Sequence, residues 1–207
     1  MDVYVESNFV LELALLQEQY ESCEKILALA EAGEIKLILP AYSLIEPYET
    51  LSRYARNRNR LSNELGTELK QLSRSEPYRE SVDMLQKVTG FLVRSQEEEK
   101  TRLRSTLGRL LATAEIIPLT SEILASATAY QSDHDLSPQD SIVYGSVLGH
   151  LRASVAPTKC FLNRNSKDFD DPDIVDTLAS HNCKVIFTFE AGHRYISSQI
   201  APNPVTN

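Results

Sequence analysis

Five short apolar runs, each cut off by a polar residue or a proline and four of them followed by helical spacing, constrain this chain more than any other feature. They are the segment around Val3 and Val5, Ile35–Leu39, the Ile116, Ile117 and Leu119 segment around Pro118, Thr158–Leu162 and Lys184–Phe189. Runs of this length, rich in β-branched and aromatic residues, read as strands. Strands alternating with helices become parallel neighbours joined by crossovers, and such a sheet is covered on both faces. In the first run, Val3 and Val5 alternate with Asp2 and Tyr4, and the strand stops at Glu6; Ser7 and Asn8 then offer helix N-caps. A carboxylate is therefore expected at a strand C-terminus beside a helix N-terminus, the edge at which open α/β sheets gather ligands.

Between the strands, Leu11, Leu15, Ile26, Leu29 and Ala30 keep helical spacing across Phe9–Ala32, with a break near Gln17–Gln19 and Gly33 as C-cap. Ser43 opens the next helix, with Leu44, Tyr48 and Leu51 on one side. Residues 53–109 hold no strand-like alternation and are interrupted by Pro77. They predict a helix-rich extension, at about residues 60–112, on a single domain spanning 1–207. Thr120 caps a helix through Tyr130, Ser137-Pro138 opens one to about Leu151, and another lies near Ile174–His181. The tail after Gly192, ending in Pro-Asn-Pro, is expected to be loosely held.

Composition narrows the class. No apolar run is long enough to span a membrane, and charged Asp2 and Glu6 sit where a signal peptide would begin its apolar region, so a cytoplasmic protein is expected. Cys23, Cys160 and Cys183 form no C-x-x-C pair and lie in apolar elements, as buried free thiols do; the four histidines show no zinc spacing. The net charge of −8 is opposite to the basic footprint of a simple nucleic-acid binder, although acids gathered around a metal contribute to that sign.

The acids fall in a pattern. Glu46 lies one turn into the helix after the second strand, Asp140 in the first turn after Ser137-Pro138, and Asn165 and Asp168 just past the fourth strand. With Glu6, all stand where a strand C-terminus runs into a helix N-terminus, so a parallel sheet brings them to one edge. Converging carboxylates repel, and a hard divalent cation such as Mg²⁺ or Mn²⁺ relieves that repulsion through oxygen ligands and retained waters. Each acid also has an ordinary reading. Ser43-x-x-Glu46 and Ser137-x-x-Asp140 have capping-box form, and Asp168 with Asp170 and Asp171 fits a solvated loop. It is the joint placement of the four that points to a site.

At these residues the sequence resembles the PIN-domain nucleases. The matching segments are YVESN (Tyr4–Asn8), SLIEPYETL around Glu46, DLSPQDSIV around Asp140 and LNRNSKDF (Leu162–Phe169), in order on the expected elements. Three positions depart from the family pattern: Glu6 stands where Asp is usual, Asn163 where Thr or Ser is common, and Asn165 where an Asp often supplies a fourth charge. The resemblance implies a three-layer α/β/α sandwich with a central parallel sheet of about five strands. It further implies a Mg²⁺- or Mn²⁺-dependent endoribonuclease, with Glu6, Glu46, Asp140 and Asp168 as catalytic and metal-holding residues. Ser7, Asn8 and Asn165 would support them. The implied partners are RNA, a second copy of the chain and an antitoxin or other regulatory protein.

RNA needs positive charge, and RYARNRNR supplies it after Glu46: Arg53, Arg56 and Arg60 share a helix face, with Tyr48 and Tyr54 near enough to stack on bases. A solvated basic face is the plain alternative. The departures at Glu6 and Asn165 motivate another: a weakly active or inactive module of the same fold that binds RNA or a protein partner. A phosphatase or hydrolase of another kind is disfavoured, because the chain has no Gly-rich phosphate loop, no G-x-S-x-G and no Cys–His pair.

Overall fold

The computed structural model of the chain describes residues 1–200. Its strands are β1 (Asp2–Val5), β2 (Lys36–Pro40), β3 (Glu115–Ile117), β4 (Lys159–Leu162) and β5 (Cys183–Ile186), all parallel in the order β3-β2-β1-β4-β5. The order reverses at β1, so the crevice beside its C-terminal end is the topological switch point of the sheet.

Alternation along the strands sorts the core into two faces. Val3, Val5, Leu37, Leu39, Cys160 and Leu162 point into one layer; Tyr4, Ile38 and Phe161 point into the other. The first layer is built by α1 (Ser7–Leu15), α2 (Tyr20–Glu31), α9 (Phe189–Ile200) and the inner ends of α3 (Tyr42–Leu72) and α4 (Arg79–Thr113). The second is built by α6 (Pro138–Ala153) and α8 (Pro172–Ser180), flanked by α5 (Ser121–Asp133), with Phe169 of the short α7 (Ser166–Phe169) wedged against Phe161 and Tyr144. The arrangement is an α/β/α sandwich. All three cysteines are free and buried, and among the described residues no helix is long and apolar enough to cross a membrane.

Most boundaries follow local chemistry. The chain breaks between α1 and α2 at Leu16, whose φ of 53° ends the first helix, and Gly33 takes the φ of 75° that turns the chain towards β2. Thr120 caps α5 by accepting from the Ile123 N–H. Three expectations are corrected. The segment around Pro118 is strand only to Ile117, because a proline has no N–H for the ladder. The last strand stops at Ile186 and Phe189 already begins a helix. Consequently the tail is not loose from Gly192 onwards: α9 buries Phe189 and Ile196 on one stripe, and Gly192 sits so close to β4 that an added Cβ would meet Leu162 at 2.8 Å. The Pro-Asn-Pro end lies outside the described residues.

The helix-rich stretch is an antiparallel pair, α3 and α4, joined through a short 3₁₀ turn, Glu76–Tyr78, at Pro77. Its inner end belongs to the core: Leu103, Leu107 and Leu110 pack with α1 and α2. Arg102 donates to the Ala14 carbonyl at 2.9 Å, satisfying a carbonyl at the end of α1, and Arg109 forks onto Glu24 and Glu31 of α2.

Candidate active site

The C-terminal ends of β1 and β4 and the starts of α1, α3 and α6 border a cleft of about 650 Å³. Glu6, Ser7, Asn8, Glu46, Arg53, Asp140 and Asn165 all line it, drawn from segments up to 159 residues apart in sequence.

Glu6 is itself the N-cap of α1, the position expected for Ser7 or Asn8. Its Oε2 accepts from the Asn8 backbone N–H at 2.8 Å, while Oε1 is buried without a hydrogen-bond partner. A cap needs only one carboxylate oxygen, so Ser7 and Asn8 enter the first turn of the helix. Burial pushes the Glu6 carboxyl up from 4.5 to about 7; the Asn8 contact opposes the rise, and Glu46 adds to it.

Glu46 is not the acid of a capping box. Ala41 caps α3, and Ser43 is drawn inside the helix, buried, with its hydroxyl unpartnered. Glu46 accepts instead from the Ser7 hydroxyl, a contact between two strand-end segments. Its pKa is also raised, first by burial and then by Asp140 and Glu49, against the lowering effect of Ser7 and Arg53. Asp140 does form its box: Ser137 accepts from the Asp140 N–H at 3.1 Å and donates to Oδ2 at 2.5 Å. Its other oxygen faces Asn165.

Asp168, on α7, is reached through Asn165 rather than directly. The Asn165 amide donates to Asp140 Oδ1 at 3.2 Å and to Asp168 Oδ2 at 2.6 Å, bridging the two acids. Asn165 is held in turn by Asn163, whose Oδ1 accepts from the Asn165 N–H at 2.7 Å. Arg53 lines the cleft and, with Arg56 and Tyr48, an adjoining hollow. Arg60 stands away from both, at 4.0 Å from Glu64 on open surface, and Arg58 turns to Glu99 of α4 at 2.7 Å.

The Arg164–Glu12 pair escaped sequence reasoning, and the part played by Asn163 did too. Arg164 lines the cleft and pairs with Glu12, a fully buried acid on α1 that also accepts from the Gln19 N–H at 2.8 Å. The available signal was spacing: Glu12 stands three residues after Phe9, in the phase of the buried face. Asn163 was marked in the sequence only as a departure from the family's Thr or Ser, with no role attached to it.

Among the described residues no three His, Cys, Asp or Glu side chains stand close enough together to hold an ion between them. Mg²⁺ is commonly bound by one or two carboxylates and keeps several waters, so the test of fit is the donor chemistry. Hard oxygens converge here, two acids have pKa values raised by burial and by neighbouring carboxylates, and a buried carboxylate oxygen of Glu6 has no hydrogen-bond partner. That set fits a hard divalent cation.

Residues 3–169 match the PIN domain family. No curated protein matches the chain at a significant level. Among solved structures, the chain is similar to one in the crystal structure of VapBC2 from Rickettsia felis bound to a DNA fragment from their promoter. It is 11% identical, with 90% of this chain and 98% of that chain covered and a TM-score of 0.45.

Proposed function

The chain belongs to the PIN-domain family, and from that premise we propose that it is a Mg²⁺- or Mn²⁺-dependent endoribonuclease acting on single-stranded RNA in the acidic cleft. The observation that carries the reading is Glu6 Oε1, buried and undonated in a cleft it shares with Glu46 and Asp140. Glu6, Glu46 and Asp140 would hold the cation or its waters, with Asp168 behind Asn165. A divalent ion bound there supplies an activated water for in-line attack and offsets charge developing on the phosphate.

The protein's own groups prepare that chemistry. The Asn8 N–H fixes one oxygen of Glu6, a residue of the cleft wall, and leaves the other buried without a hydrogen-bond partner. Ser7 aims Glu46, and Ser137 with Asn165 fixes both oxygens of Asp140. Such supporting hydrogen bonds set the orientation and basicity of first ligands. Arg53 and Arg56 offer the phosphates a positive path beside the acids, in a protein of net charge −8. A second copy of the chain and an antitoxin-type or other regulatory protein complete the proposed partners.

Cleavage of a single-stranded RNA with Mg²⁺ or Mn²⁺, comparing wild type with Asp140→Asn, is the direct test. Cleavage by wild type and its loss in the variant supports the assignment; equal rates remove it. The Asn165 amide favours a second reading, because it already gives Asp140 and Asp168 a shared donor. On that reading the protein binds RNA or a partner protein without cutting. Titration calorimetry separates the two: RNA binding without Mn²⁺ binding at millimolar metal selects the second.

A further inference from the structure

The outer part of the α3–α4 pair contributes nothing to the sheet's core. Leu51 and Leu103 are in the core layers, and none of the residues 52–102 between them is. From Leu51 to Leu72, α3 therefore projects about 30 Å at the usual helical rise. Within this arm Leu69 and Val82 are buried, and nearer the base Gln96 donates to Asn59 at 2.8 Å and Arg58 to Ser95 at 3.1 Å.

One side of the arm is apolar and open. On α4, Met84, Val88 and Phe91 recur at i, i+4 and i+7, with Met84 65% and Phe91 56% exposed. On α3, Leu61, Leu65 and Leu72 make the matching stripe, Leu61 being 53% exposed. The Asn59–Gln96 register carries Leu65 to the level of Phe91 and Leu72 to the level of Met84, and helical phase turns both stripes to the same side. Taking roughly 200 Å² for each fully exposed large side chain, Leu61, Leu72, Met84, Val88 and Phe91 leave roughly 500 Å² of apolar-residue surface open. That is near the top of what monomers expose. It also meets the apolar share of the roughly 800 Å² per partner that a stable dimer buries.

We infer that this face is the self-association surface of the protein, on which the arm of a second copy packs to make an antiparallel four-helix bundle. An antiparallel helix pair with a stripe along both members is half of such a bundle, and an identical half supplies two helices of the right length. The borders of the stripe complement each other. Glu64 and Glu68 flank it on α3, and Lys87 and Arg94 on α4; Glu64 also lies 4.0 Å from Arg60 and Arg94 3.6 Å from Glu98, exposed pairs of their own helices that can be shared with a partner. A copy related by a two-fold axis along the bundle sets each α3 over the partner's α4, acids facing bases.

The test is sedimentation of the full chain over a wide concentration range, without metal or RNA, so that it is independent of the chemistry of the cleft. Wild type should sediment as a dimer that dissociates on dilution. Met84→Glu with Phe91→Glu places charge in the bundle's centre and should weaken association at least about a hundredfold, with unchanged helical circular dichroism. Lys87→Glu with Arg94→Glu lies wholly on the surface and tests the border; it should weaken the dimer, and adding Glu64→Lys and Glu68→Lys should restore it. A wild type that stays monomeric at the highest concentrations overturns the inference. So does a dimer indifferent to both pairs of substitutions, which would place association on another face, and capture of a different protein's helix by a monomeric wild type.

Discussion

Glu6→Gln tests the central electrostatic idea in one substitution, because glutamine reproduces the protonated form of the acid. The folded carboxyl is pushed up to about 7 from 4.5 by burial. The native state therefore binds more protons than the unfolded chain between those values, and stability falls as pH rises through the window. The full stability is present below the unfolded value; above about 7 the ionised Glu6 costs the metal-free protein about 3 kcal/mol. Glu46 is shifted the same way and adds to the loss. The substituted glutamine can still accept from the Asn8 N–H and can turn its amide towards Glu46.

Without metal, at about pH 8, Glu6→Gln should melt above wild type by up to roughly 6–12 °C, the shift expected of about 3 kcal/mol in a domain of this size. At about pH 5 the two should melt together, both lacking the charge. Mn²⁺ should then reverse the order at the higher pH, because the cation competes with the proton for Glu6 and can stabilise only the carboxylate. The assay is thermal melting in chelator-treated buffer with and without Mn²⁺ at the two pH values. A variant that melts below wild type at high pH without metal refutes the burial argument, and equal Mn²⁺-induced shifts refute the metal assignment.

Other outcomes follow from the same geometry. Asn165→Ala removes the amide shared by Asp140 and Asp168 and should lower Mn²⁺ affinity about 10–100-fold by calorimetry, the usual cost of removing a supporting hydrogen bond. Arg164→Ala leaves the wholly buried Glu12 uncompensated and should cost about 3–5 kcal/mol in urea unfolding. Glu12→Gln should cost less, because Arg164 is partly exposed and can turn to water or Glu18. Arg53→Ala with Arg56→Ala should weaken RNA binding and reduce the salt slope by roughly 0.7 for each phosphate no longer neutralised, read by fluorescence anisotropy across a salt series. An unchanged slope would put the RNA elsewhere.

The fold was legible because its cues are local and agree. Period-two runs, caps such as Thr120 and the positive φ at Gly33 mark the same boundaries that the sheet uses. Where reading failed, the deciding contact was distant. Phe189, Ile196 and Ile200 of α9 carry a helical stripe, but a Pro-Asn-Pro ending points to looseness, and only the approach of Gly192 to Leu162 shows why the helix docks. Caps gave the sharpest contrast. Ser43-x-x-Glu46 and Ser137-x-x-Asp140 are indistinguishable as patterns, yet one is a real box and the other leaves Ser43 buried while Glu46 bonds Ser7.

That contrast bears on how an acidic cleft is recognised. A capping acid is satisfied by its own helix, so its partners are predictable from three or four neighbouring residues. Glu6 and Glu46 break that rule in opposite ways: the first uses one oxygen for its cap and leaves the other buried without a donor, and the second abandons its cap for a hydroxyl on another segment. Burial of the ionised Glu6 destabilises the metal-free fold above about pH 7, and Glu46, raised by burial and by Asp140 and Glu49 against the opposing Ser7 contact, is shifted the same way. Local and global preferences are expected to conflict where a function demands it. Asp168 and Asn165 show the converse. They are mutually satisfied, so the case for chemistry at this edge rests on Glu6, the acid whose buried oxygen remains unpartnered.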